Sequence, residues 1–273
     1  MRMVGCFWPG RRRRFHCGRQ SPSERLVAMP LRRALWLALL AAMAAPAQTS
    51  LPGAALPAVQ KLSFSADWRF VRAGEVGVEI AEPGSLQMQL RTVGLVRTFV
   101  KVDNTYRASF LSGWCAAATE LTAHEGKRHR ETRVRFDGEA RKAHYLERDL
   151  EKNAVVEEKT IDIPACVHDV TGGLQKLREL LPAPGAVIEL PVSDGKKAVM
   201  ARVEALGRER VQTPVGEFRS IRYEAFLMSG VLYRRKGRLF VWISEDERRL
   251  PVQIRVQLPF YIGTVTLKLE KVE

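Results

Sequence analysis

Cysteine is sparse in this chain: there are four, and only Cys115 and Cys166 lie beyond residue 47. Two cysteines about fifty residues apart do not make a zinc site, which needs closely spaced pairs or added histidines. No Gly-x-Ser-x-Gly elbow occurs, so the nucleophile turn of an α/β-hydrolase is missing. Ser112-Gly113 and Ser229-Gly230 sit in turn-like places without a base nearby in sequence. Gly172-Gly173 is not followed by the Lys-Ser or Lys-Thr of a phosphate cradle. No cofactor is implied. Long apolar runs are also lacking. The run Ala34–Ala45 has twelve residues, about 18 Å of helix against a bilayer core of about 30 Å.

A clustered positive stripe is missing too. The formal charge is +14, but nine arginines and one glutamate fall within residues 1–47, so +8 lies there and the remaining 226 residues carry +6. Those charges are mixed in sign along every segment. Such a surface does not neutralise a phosphate backbone, and nucleic acid is not an expected partner.

What is present begins with an export signal. Arg32 and Arg33 precede the apolar run, and Ala45-Pro46-Ala47 places small residues where a signal peptidase cuts. A buried core helix is the alternative for this run. Residues 29–47 are read as a signal peptide starting at Met29. Residues 1–28, with Arg11 to Arg14, are read as a disordered gene-model extension rather than a nucleic-acid-binding arm. Residues 48–60 are a linker, and residues 61–271 are expected to form a single β-rich domain. No cysteine follows the run to take a lipid anchor. The expected location is the periplasm or the outer membrane, with no integral membrane span in the mature chain. Cys115 and Cys166 then form a disulfide candidate, closing a loop worth about 4 kcal/mol; two separately buried thiols are the alternative.

Alternation dominates from Lys61 onward. Leu62, Phe64, Ala66, Trp68 and Phe70 occupy every second place, with polar residues between. The pattern returns at Val76–Ile80 and Leu86–Leu90, and Gly or Pro closes each run. Thr132–Phe136 runs into Asp137-Gly138, a hairpin signal, and the strand from Val187 runs into Asp194-Gly195. Further strands are predicted at Ala198–Leu206, Glu209–Thr213, Phe218–Phe226, Val231–Trp242, Val252–Val256 and Thr264–Leu269. One helix is predicted, capped by Asp169 or Thr171 and stopped by Pro182. It would bury Leu174, Leu177 and Leu181 and point Lys176, Arg178 and Glu179 outward. A second short helix is predicted over Val93–Val100. The fold is expected to be mainly β: a strongly curved antiparallel sheet or half-barrel of about a dozen strands with one or two helices.

Several segments resemble one bacterial family. They are Phe70–Gly77 (FVRAGEVG), Val167–Val170 (VHDV) with Leu177-Arg178, and Asp194–Lys197. Thr213–Phe218 (TPVGEF) with Arg222-Tyr223-Glu224, and Val241–Arg248 (VWISEDER) with Pro251–Ile254, complete the set. Their order and spacing resemble domain of unknown function 3108 over Leu62–Glu270. The resemblance implies an exported envelope protein and supplies no catalytic residues. Periplasmic lipoprotein carriers with curved sheets offer an analogy of fold alone.

Three groups of residues invite a functional reading. His168-Asp169 could ligate a metal or serve a hydrolase acting on an envelope polymer, but the other histidines, His124, His129 and His144, lie in charged strands or loops; the plainer reading makes Asp169 a helix cap. Basic clusters at Lys127–Arg130, Arg234–Lys236 and Arg248-Arg249 could meet anionic headgroups, or simply wet the sheet. The aromatics Trp68, Phe70, Trp114, Phe240 and Trp242 are candidate ligand-facing residues, or else core packing. The leading expectation is non-enzymatic binding of a lipid, another envelope amphiphile or an envelope protein on a concave β surface. A hydrolase and an assembly factor without a small ligand are the alternatives.

Overall fold

The structure is a computed structural model and describes residues 59–69, 71–81, 84–227, 237–259 and 263–273. The proposed extension, signal peptide and most of the linker lie outside the described residues, as do Phe70 and Arg234–Lys236. The first eight strands are β1 (Gln60–Trp68), β2 (Val71–Ala81), β3 (Ser85–Thr92), β4 (Val102–Phe110), β5 (Ala116–Glu125), β6 (Arg128–Asp137), β7 (Lys142–Asp149) and β8 (Ala154–Asp162). A six-residue helix α1 (Gly94–Phe99) lies between β3 and β4, and a single 3-10 turn (Ser112–Trp114) precedes β5. Helix α2 (Val170–Leu180) then leads to β9 (Val187–Ser193), β10 (Ala198–Thr213), β11 (Gly216–Ala225), β12 (Arg238–Ser244), β13 (Pro251–Gln257) and β14 (Thr264–Val272).

Both meanders are antiparallel, and β14 returns to pair with β1. The order is therefore β8-β7-β6-β5-β4-β3-β2-β1-β14-β13-β12-β11-β10-β9. This corrects the expected half-barrel of about a dozen strands. The sheet is a single open run of fourteen, and among the described residues no ladder joins its edges, β8 and β9. The reason is visible at β8. It carries Glu157, Glu158, Lys159 and Asp162, and most of its side chains are exposed, which discourages edge pairing.

Four strands missing from the predicted set are β4, β5, β7 and β8. In β5, β7 and β8 charged or small residues occupy both faces, so the two-residue period is blurred. Strand β4 does alternate, with Tyr106, Ala108 and Phe110 against Thr105, Arg107 and Ser109, and the sequence reading passes over it. The predicted strands Ala198–Leu206 and Glu209–Thr213 are one strand, β10, with a register shift between Ala205 and Gly207.

Helix α2 forms where predicted. Asp169 stands in extended backbone and accepts from the Thr171 and Gly172 amides, satisfying donors that the first turn leaves unpaired. Leu181 ends it in the left-handed region at φ 41, and Pro182 follows. Leu177 packs against Leu190, Val203, Tyr223 and Ile243 of β9 to β12, with Leu174 and Leu181 beside it. Arg178 contradicts the amphipathic reading: it is 1% exposed.

Candidate functional site

The start of α2 faces the first meander. Asp169 is 3% exposed, yet its carboxylate is fully engaged. Tyr106 Oη on β4 donates to Oδ2 at 2.5 Å, and Thr171 donates to the same oxygen through its amide and its hydroxyl, the latter at 2.6 Å. The Gly172 amide donates to Oδ1 at 2.8 Å. The cap thus joins α2 to β4, and it leaves Asp169 poorly placed to act as a base or metal ligand. Gly172 is required by this closeness. A Cβ there would lie 2.8 Å from the Trp114 carbonyl oxygen and 2.9 Å from Phe110 Cε1.

Beside this junction lies a recess of about 300 Å³ between β3 to β6, the first turn of α2 and the β9–β10 turn. Met88, Leu121, Val134, Phe136 and Val170 supply its apolar surface, while Tyr106, Thr119, Thr132, Asp169 and Ser193 bring polar atoms to it. An apolar recess with a few convergent polar groups is the usual form of a small-molecule site.

The β9–β10 turn borders the recess because Asp194 holds it. Its Oδ1 accepts from the Lys196 and Lys197 amides, and Gly195 sits at φ +85 with Val134 directly against it. Lys196 then reaches Glu157 of β8 at 2.6 Å and Glu147 of β7 at 3.8 Å. Burial pushes the Glu147 carboxyl up, but donation from Tyr145 and Arg128 and the charge of Lys196 outweigh it. Glu147 stays below the ordinary glutamate value.

His168 does not join Asp169. Its Nδ1 bonds to the Trp114 carbonyl oxygen at 2.7 Å, and its backbone pairs with β9 through Pro191 and Ser193. Cys115 and Cys166 form the disulfide, with Cα atoms 5.1 Å apart and 51 residues between them in sequence. It ties the 3-10 turn to the approach to α2.

Of the candidate aromatics, the four among the described residues, Trp68, Trp114, Phe240 and Trp242, are not gathered in one place. Trp114 is half-buried against Phe110 at 5.6 Å, and Trp68 is 36% exposed at the end of β1. Phe240 and Trp242 are buried on β12, where Trp242 Nε1 donates to Glu209. Of the basic clusters, Arg128 and Arg130 pair with Glu147 and Asp149. Arg249 donates to the Arg178 and Glu179 carbonyls at the end of α2. His124 and His129 pack edge to face across β5 and β6, and His144 bonds to Thr160.

Sequence reading missed the recess polar groups Tyr106, Thr119, Thr132 and Ser193. Each is an ordinary strand or turn residue until the chain folds, and no spacing signals them. Among the described residues, no three His, Cys, Asp or Glu side chains converge to hold a metal. No helix among them is long and apolar enough to cross a membrane.

These features define a β-sheet domain in which one helix, pinned by a disulfide and a buried carboxylate, borders an apolar recess. Residues 63–270 match the family described as Protein of unknown function (DUF3108), and the chain belongs to that family. No curated protein matches it. Among solved structures, it is similar to a beta-barrel-like protein of domain of unknown function DUF1849 from Brucella abortus. That likeness has 10% identity and TM-score 0.53, covering 80% of this chain and 98% of the other. It shows a shared fold alone. A DUF1089 family protein from Pseudomonas aeruginosa matches with 14% identity and TM-score 0.38, covering 71% and 92%.

Proposed function

We propose that this is an exported envelope protein that holds the apolar part of an amphiphile in the recess beside α2, without chemistry on it. The observation that carries the reading is the recess itself: five apolar side chains with the Tyr106–Asp169 pair at their border. Ligand recognition there needs no free base, and the engaged Asp169 carboxylate suits a border residue better than a catalyst. Export is supported by the charged and apolar segment over residues 29–47 and by the disulfide, since such bonds persist in oxidising compartments. Cleavage after Ala47 would leave Gln48 as the first residue of the mature chain.

The test is native mass spectrometry of the chain purified from periplasm or membrane fractions without added detergent, followed by solvent extraction. A stoichiometric amphiphile, lost when Leu121→Trp fills the recess, is the expected result. A bare protein mass from every fraction would overturn the ligand reading. Recovery of a chain still carrying residues 29–47 in the cytoplasmic fraction would overturn export.

A further inference from the structure

The sheet carries a second feature on the face turned away from α2. Because Tyr223, Val241 and Ile254 pack toward α2, the intervening residues of β11 to β13 point to the other side. There the register aligns Arg222, Trp242, Gln253 and Lys268 in one cross-strand row and Phe240, Arg255 and Thr266 in the next. Arg255 stands over the Trp242 ring at 5.1 Å, while Arg222 and Arg238 stand over Phe240 at 5.8 and 4.7 Å. Cations stacked on aromatic faces are held with their donor edges outward.

The charges in this area are unequally matched. Arg222 pairs with Glu209 at 2.7 Å, and Arg238 makes a two-pronged pair with Glu224 at 2.7 Å. Among the described residues, Arg255 and Lys268 have no carboxylate partner within 4.0 Å. The Arg222 Nε–H is buried and has no hydrogen-bond partner there either. Arg255 belongs to two adjoining recesses at once. One, of about 200 Å³, it shares with Arg222, Trp242 and Gln257; the other, of about 920 Å³, it shares with Lys268, Arg69 and Gln257, and a single carboxylate, Asp67, also lines it, leaving three cations to one acid there.

The geometry points to a phosphate-binding site centred on Arg255, with Lys268 as the flanking donor. A tetrahedral phosphate offers oxygens in several directions, so it can be met by donors from β13 and β14 together, whereas a carboxylate presents two oxygens in one plane. The group is carried either by a lipid headgroup or by a small soluble molecule. This site uses none of the residues of the recess beside α2 and stands independently of that reading.

The experiment takes the purified full mature chain in two arms. Inorganic phosphate is titrated by calorimetry, and co-sedimentation is measured with phosphatidylglycerol vesicles against phosphatidylcholine vesicles. Both arms are repeated on Arg255→Gln, Lys268→Gln and Arg210→Gln, whose circular dichroism confirms folding. Arg210 is an exposed arginine paired with Glu217 outside both recesses, so it controls for charge number. Binding in the phosphate arm assigns a soluble ligand, and binding only in the phosphatidylglycerol arm assigns a headgroup. In either case the Arg255 and Lys268 variants should each bind roughly tenfold more weakly, about 1.4 kcal/mol, with Arg210→Gln unchanged. No binding in either arm, or an equal loss in Arg210→Gln, would overturn the proposal.

Discussion

Arg178 on α2 donates through Nη2 to the Gln60 side-chain oxygen on β1 at 2.6 Å, across 118 residues of sequence. The same guanidinium donates to the Arg249 carbonyl at 2.8 Å, the Arg248 carbonyl at 3.1 Å and Gln175 at 2.6 Å. All four acceptors are uncharged, so burial alone lowers the guanidinium, to about 10. One side chain thereby fastens the helix to the central strand and to the turn between β12 and β13.

Removing this tie leaves four acceptors without their donor, those of Gln60 and Gln175 buried and the Arg248 and Arg249 carbonyls partly so. Arg178→Met relieves the desolvation of the charge but leaves those oxygens unpaired, each costing on the order of 1 kcal/mol or more. A net loss of about 3 kcal/mol is expected, read from the urea midpoint. An unchanged midpoint would show that the helix is held by its leucine face alone.

The disulfide closes a loop of 51 residues. The chain-entropy relation assigns about 4 kcal/mol to a loop of that size. The paired Cys115→Ser, Cys166→Ser variant should lose about that much in denaturant unfolding. Reduction of the wild-type chain should give the same shift, while leaving the double variant unmoved.

Glu147 predicts an acid sensitivity. Its folded carboxyl lies below the ordinary glutamate value, so the unfolded chain binds the proton more readily. Its stabilising contribution is therefore complete above the ordinary glutamate range and is lost as pH falls through the folded value. Glu147→Gln should be less stable than wild type at pH 7 by about 2 kcal/mol. That gap should narrow steadily below about pH 4.5. A gap constant down to pH 3 would mean the carboxylate charge does not hold the β9–β10 turn against β7.

At the mouth of the recess, Asp169→Ala removes a cap and the partner of Tyr106. A loss of about 2 kcal/mol is expected, with Tyr106→Phe costing about 1 kcal/mol. Because both act on the same bond, the double variant should cost less than the two singles added. Full additivity would show that the bond between them contributes nothing.

Much of the architecture was legible in the chain. Where apolar and polar residues alternate cleanly, as in Leu62 to Trp68, one wet and one dry face require a strand. Asp169 and Pro182 bound α2 because a cap acceptor and a missing amide are local chemistry. The cysteine pair was legible as a candidate because only two remain beyond residue 47. Strands β5, β7 and β8 were not, since side chains on their two faces differ too little in polarity.

Tertiary structure decided the rest. That the fourteen strands stay open at β8 and β9 is decided in the fold, where the chain at His168 bonds to part of the β9 edge. The burial of Arg178 depends on carbonyls about seventy residues away along the chain; its charge argues for solvent, although it stands four residues after Leu174 and three before Leu181, beside the apolar face. The recess arises where Tyr106, Asp169 and Ser193 come from three separate elements. Local pattern carries the periodicity and the caps, because those energies are settled within a few residues. A buried cation or a binding recess is settled by neighbours distant in sequence, and only the folded chain brings them together.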